Sequence, residues 1–269
     1  MERGIIPNCP VTKRDILRAK DIFGPNLRSL KGKTNRKRPS KLIINALYDL
    51  PEGILEEHGN VTMGTDIMYI DKNPFIVTTS RSIYFGTVEM MQEERKATII
   101  KSLQQVINTY HGRCFKVHHI LVYRQFECIT KYMELAGIKV NTRACDEQIP
   151  EVERYNRTIK ERLRATANTF SFEQLPHWLI VESTYNAVFW MNCFPYKNRI
   201  HMKCSPCTIA IRSTIDFNKQ CKLPSGTYVQ VHEQHNNSLL PRTTGAIALL
   251  PTGNAQGSYY FPSLNTGKE

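Results

Sequence analysis

The pattern of hydrophobic and polar positions first becomes regular at Val61. Residues 61–70 (VTMGTDIMYI) alternate with a period of two, and 75–81 (FIVTTSR) and 82–91 (SIYFGTVEMM) follow closely. All three are rich in β-branched and aromatic residues, so they predict strands. The turn Asp71-Lys72-Asn73-Pro74 separates the first two, and a tight turn near Arg81 separates the next pair, giving an antiparallel meander. A helical period takes over in residues 93–110, where Ile99, Leu103, Val106 and Ile107 share a face. A short strand (117–122), a helix (126–136) and another short strand (138–142) come next, with Gly137 suited to the position after a helix end. Pro150 opens a long amphipathic helix over 151–168, where Glu151 and Glu153 suit the positive end of the macrodipole. Tyr155, Ile159, Leu163 and Ala167 form its expected buried face, and Arg154, Arg157, Lys160 and Arg164 a stripe for solvent or phosphate. A last helix, 176–192, is rich in aromatics. Beyond residue 222 the stretches 227–233, 246–251 and 258–264 read as short strands joined by turns.

Three strands, a helix, a strand, a helix, a strand and a long helix make an α/β order with an antiparallel start. That order matches the ribonuclease H-like layout, a mixed five-stranded sheet with flanking helices, here followed by a small C-terminal β-rich region. The expected divisions are a basic arm and linker (1–41), the core (42–200), a linker (201–221) and the β-rich region (222–269). Within the arm, residues 24–39 show no periodicity and read as linker.

Charge changes the picture more than composition does. Thirty-six basic residues against twenty-four acidic ones leave a net charge of +12, which favours polyanions and nucleic acid first. Residues 1–41 alone hold twelve Lys or Arg against Glu2, Asp15 and Asp21, three quarters of that excess. Arg36, Lys37 and Arg38 are therefore candidate DNA contacts, and the run to Pro39 also reads as a nuclear localisation signal. Eight cysteines without a framework, no secretory signal and no apolar run long enough to span a bilayer suggest an intracellular chain, in nucleus and cytoplasm, that is neither secreted nor bound to membrane.

Candidate chemistry lies in three places. Asp66 sits on the first strand. Glu153 stands in PEVERYNRTIKER (150–162), followed by basic residues and an Asn. The segments NCPVTKRDILRAKDIFGPNLRSLKGKT (8–34) and QCKLPSGTYVQVHEQHNNSLLPRTTGAIALLPTGNAQGSYYFPSLNTGK (220–268) flank this core. Taken together, these blocks resemble the integrase segment of copia-type retrotransposon polyproteins across nearly the whole chain. The resemblance implies a polynucleotidyl transferase in which three carboxylates hold two divalent ions, magnesium or manganese, about 3.5–4 Å apart. It also implies DNA partners (element ends and target) and association with itself or with intact integrase subunits.

One position departs from that pattern. Such enzymes place an Asp, often followed by Gly, ahead of a Phe-Glu pair. Here the stretch is Tyr123-Arg124-Gln125-Phe126-Glu127, so the preserved Phe126-Glu127 puts Tyr123 at the second Asp position. A neutral phenol is a poor magnesium ligand at pH 7. Asp66 and Glu153 would then form an incomplete metal site, and turnover is expected to fall by orders of magnitude. Asp71 is expected on the opposite strand face, Glu127 is a minor candidate ligand, and Asp146 and Glu147 are expected to be solvated. An active metal-dependent integrase or nuclease, and a non-enzymatic remnant acting through protein contacts, stand as alternatives. No zinc is expected. Cys204 and Cys207 have half-site spacing, but only the isolated Cys221, His232 and His235 follow. His118 and His119 read as structural.

Overall fold

Within the basic arm, residues 10–35 carry two helices. Thr12 and Asp15 exchange the two hydrogen bonds of a capping box and start α1 (Lys13–Phe23), none of whose residues is buried. Asn26 accepts from the Ser29 N–H and starts α2 (Leu27–Lys33), inside the stretch expected to be linker. The computed structural model describes residues 10–35, 49–143, 148–170, 174–197, 200–233, 238–254 and 256–265. Arg36, Lys37, Arg38, Asp146 and Glu147 lie outside them.

A short helix, α3 (Ile54–His58), leads into β1 (Asn60–Ile70). Asp71 and Lys72 both adopt left-handed φ, 48° and 66°, which closes a two-residue hairpin onto β2 (Asn73–Ser80). The turn is thus two residues shorter than expected. β3 (Gly86–Met90) begins four residues later than the alternation indicates, because residues 81–85 form a turn in which Tyr84 is left-handed. Next come α4 (Lys96–His111), β4 (Lys116–Tyr123), a 3-10 segment (Arg124–Ile129) running into α5 (Thr130–Leu135), and β5 (Lys139–Arg143). The long helix α6 (Pro150–Ala167) and then α7 (His177–Cys193) complete the core.

The five strands lie in the order β3-β2-β1-β4-β5. β1, β2 and β3 pair antiparallel, and β4 joins β1 and β5 in parallel, which is the ribonuclease H-like arrangement. Alternation then decides the two faces. Met63, Ile67, Ile76 and Ile120 face α4 residues Leu103 and Tyr110. Met68, Phe75, Val77 and Leu121 face Val152, Tyr155 and Ile159 of α6 and Val188 of α7. Asp66 and Tyr123 therefore project from the α6 side.

Residues 201–221, expected to be linker, carry α8 (Pro206–Ile211) and α9 (Phe217–Gln220). Ile209 and Ala210 enter the α4-side core, and buried Arg113 donates from Nε to the Ile209 carbonyl at 3.1 Å. β6 (Tyr228–His232) and β7 (Thr243–Ile247) form a separate antiparallel pair. The third stretch expected as a strand contributes isolated bridges only, such as Ser263 to Ala246. Ile247, Leu249 and Leu250 pack on Leu179 and Trp178 of α7. α2 touches this unit too, since the Arg242 N–H donates to the Lys31 carbonyl at 2.8 Å.

Candidate active site and basic groove

Pairing brings the three predicted site positions together. β1 and β4 are parallel neighbours, with Gly64 opposite Leu121, so Asp66 and Tyr123 leave the sheet near one another. Gly64 lets α6 close over them: a Cβ there would lie 3.2 Å from Ile149 Cγ2 and 3.5 Å from Val152 Cβ. Glu153, on the first turn of α6, then reaches the Tyr123 hydroxyl, which donates to its Oε1. The Ile149 N–H in turn donates to the Tyr123 oxygen at 3.1 Å. The phenol thereby ties the start of α6 to the end of β4.

Asp66 is held as fully. Its Oδ1 accepts from the Ile67 N–H at 2.8 Å and from Gln125 Nε2 at 3.4 Å, and its Oδ2 accepts from Asn156 Nδ2 at 2.8 Å. Gln125 and Asn156 escaped the sequence reading as site residues. Asn156 could have been found, because it lies one helical turn beyond Glu153 and so shares its face. Burial raises the Asp66 pKa above the usual value, with Glu153 repulsion adding to it and the hydrogen bonds from Ile67 and Asn156 opposing it. Burial, then the hydrogen bond to Glu153, pushes the Tyr123 phenol up to about 12. It is a neutral donor at pH 7.

This donor set does not fit a pair of divalent ions. Magnesium requires near-octahedral oxygen ligands at roughly 2.0–2.1 Å. Here a phenolic proton occupies the Glu153 oxygen, and both Asp66 oxygens face N–H donors. Among the described residues, no group of three or more His, Cys, Asp or Glu side chains converges on a point where an ion could sit. Glu127 is exposed and lies 3.9 Å from Arg124 in a loose ion pair. Asp71 occupies the hairpin turn and not a strand face. Cys207 is buried and hydrogen-bonds with Cys193 of α7. His118 and His119, expected to be structural, are exposed on β4.

The basic stripe divides in two. At about 100° per residue, Glu153, Arg157, Lys160 and Arg164 fall within about 60° of one another, whereas Arg154 lies about 100° from Glu153. Accordingly Arg157, Lys160 and Arg164 line a shallow groove of about 270 Å³ with Glu153 and Asn156. Arg154 belongs to a different cavity.

The protonation behaviour of Asp66 gives a first expected result. An acid with a raised folded pKa binds more protons folded than unfolded, so stability falls as pH rises from the unfolded value through the folded one. Above that window the ionised Asp66 is a cost. Asp66→Asn should raise the melting temperature at pH 7, with the gain vanishing near pH 3. The Asn156 Oδ1, buried without a partner, becomes available to the new amide when the Asn156 side chain flips. Thermal melts across pH measure this; an unchanged or lower melting temperature at pH 7 would contradict it.

No protein-family model and no curated protein matches the chain. Among solved structures, the catalytic core domain of BIV integrase aligns with a TM-score of 0.38 and 18% identity, over 56% of this chain and 93% of that one. The HTLV-2 integrase catalytic core domain in complex with magnesium aligns in its trimeric form with a TM-score of 0.40 and 18% identity, over 55% of this chain and 95% of that one. Its dimeric form gives 0.39 and 18%, over 55% and 94%. Strand order and direction carry the fold assignment without them. Among the described residues no helix is long and apolar enough to cross a membrane.

Proposed function

We propose that the chain is an integrase-like DNA-binding protein of a copia-type retrotransposon, with polynucleotidyl transfer impaired at Tyr123. One observation carries this reading: a groove lined by Arg157, Lys160 and Arg164 opens beside a carboxylate pair whose third position holds a phenol donating to Glu153. The groove's cations need no metal to attract phosphates, so DNA affinity survives where the chemistry does not. Element ends and target DNA are its partners, alone or alongside intact integrase subunits, and the arm through Arg36, Lys37 and Arg38 adds contacts and directs the chain to the nucleus.

Each phosphate neutralised on duplex DNA steepens the log–log salt dependence of affinity by about 0.9. Fluorescence anisotropy on a labelled duplex should show steep loss of binding with salt. The Arg157→Ala/Lys160→Ala/Arg164→Ala variant should flatten the slope by about 2–3. An unaltered slope would exclude the groove as the DNA surface. Strand-transfer assays with magnesium or manganese should stay silent. Metal-dependent transfer that disappears in Asp66→Asn would overturn the impairment and favour an active enzyme.

A further inference from the structure

A second cavity, of about 390 Å³, lies on the other side of α6 from the DNA groove, between the β2–β3 turn, the first turns of α6 and the segment after α7. Its volume falls in the range of small-molecule sites. Arg81, Arg154 and Lys197 supply three positive charges to its lining, and Glu151 the single negative one. Arg81 Nε donates to Glu151 Oε1 at 2.6 Å. Neither Arg154 nor Lys197 makes an ion pair with a described residue, so the lining carries an excess of two positive charges that an anion would neutralise.

The wall is aromatic. Tyr84 and Tyr196 stack with ring centroids 4.9 Å apart and planes 15° from parallel. Tyr84 holds a left-handed φ of 59°, unusual for a bulky side chain, and this conformation sets the ring at the cavity edge. Two polar atoms of the lining residues are buried without hydrogen-bond partners: Glu151 Oε2, an acceptor, and the hydroxyl of Tyr155, which is itself only 4% exposed. Buried groups of this kind normally have a partner. The cavity thus asks for one ligand that combines an anion, a flat π face and a hydrogen-bond donor.

We propose that this cavity binds one unpaired nucleotide, with its phosphate against Arg154 and Lys197 and its base against the Tyr84–Tyr196 pair. An exocyclic amino group of the base donates to Glu151 Oε2. Adenine and cytosine carry such a group where thymine carries a carbonyl, so dAMP and dCMP bind in preference to dTMP. The nucleotide is either free in solution or displaced from a DNA strand, and both sources present the same chemistry. The site is separable from the groove, because Glu151 and Arg154 lie on a different face of α6 from Arg157, Lys160 and Arg164, and Arg81 and Lys197 lie outside that helix.

The test uses the whole chain and titrates it with fluorescently labelled dAMP, dCMP and dTMP, with inorganic phosphate as competitor. Saturable dAMP binding is expected, weakened on the order of tenfold or more by Tyr84→Gly, the scale of losing one base–aromatic stack. Glycine accepts the left-handed backbone, so this variant keeps its fold; circular dichroism checks that. Glu151→Gln should erase the preference for dAMP over dTMP. The Arg157→Ala/Lys160→Ala/Arg164→Ala variant should weaken duplex binding and flatten its salt dependence while retaining dAMP, which separates failure of this site from failure of the DNA reading. If mononucleotides do not bind but a duplex with an extrahelical adenine outcompetes its fully paired counterpart in a Tyr84-dependent way, the strand is the source. Binding of phosphate alone with no dependence on the base, or no Tyr84-dependent binding of either nucleotide or strand, overturns the proposal.

Discussion

Tyr123→Asp should make the melting temperature depend on magnesium, whereas the unmodified chain should melt at the same temperature with magnesium or with a chelator. The reason lies in what the phenol does. It donates to Glu153 and accepts from the Ile149 N–H, so that Glu153 meets a proton in place of an ion. Hydrogen bonds to charged groups contribute about 1.5–3 kcal/mol. Aspartate loses that bond, leaves the Ile149 N–H unpaired and sets a third carboxylate beside Asp66 and Glu153, which already repel one another. Without metal the variant should therefore be less stable than the parent. An ion that binds only the folded state restores about 2.7 kcal/mol at a hundred times its dissociation constant. At roughly 2–4 °C per kcal/mol, that is an upward shift of about 5–10 °C. Differential scanning fluorimetry with magnesium, manganese and chelator measures it. Tyr123→Phe serves as the control, since it loses the same bond without gaining a ligand and should be destabilised with no response to metal. Strand transfer gained by Tyr123→Asp would identify this position as the main lesion. A metal-induced shift of similar size in the unmodified chain would show that the phenol does not block the site.

How much of this site could be read from the sequence depends on the range of the interactions involved. The sheet is legible because period-two alternation is local: Met63 and Ile67 fall on one face and Met68 on the other. Asp66 and Glu153 come from a motif, and Tyr123 from the register of Phe126 and Glu127. Gln125 closes on Asp66 across 59 residues, through side-chain geometry that no periodicity encodes, whereas Asn156, 90 residues from Asp66, is set on the Glu153 face by helical spacing alone. The same is true of α2, whose polar, basic sequence hides a helix that its Asn26 cap starts and that touches Arg242 of the C-terminal unit. α8 lies in a stretch too short to establish a period, and its place in the core depends on Arg113 from the end of α4. The split of the basic stripe was computable from helical angles alone, since Arg154 departs from the Glu153 face whatever the tertiary packing.

Gly86→Ala should lower the melting temperature by several degrees, although the residue lies in a strand, where alanine is ordinarily tolerated. Gly86 begins β3 opposite Thr79 and is buried beneath α6. A Cβ there would run into the Cζ and Oη atoms of Tyr155, with Cε1 only 2.7 Å away. Tyr155 cannot easily withdraw, because it is 4% exposed and packs in the cluster that joins the sheet to α6 and α7. Nor can Gly86 move outward freely. Asn192 of α7 accepts from its N–H at 2.9 Å and donates to its carbonyl at 2.7 Å, which clamps both backbone groups. Overpacking of this kind costs about 1–3 kcal/mol, or roughly 2–12 °C at the scaling used above. The clash also has a partner-specific signature. Tyr155→Leu alone leaves a cavity and destabilises, but combined with Gly86→Ala it removes the obstacle, so the double variant should be more stable than the sum of the single effects predicts. Residues in contact couple by about 0.5–3 kcal/mol in such cycles. Additive losses would mean that Gly86 is needed for some property of its backbone and not for the space that Tyr155 fills.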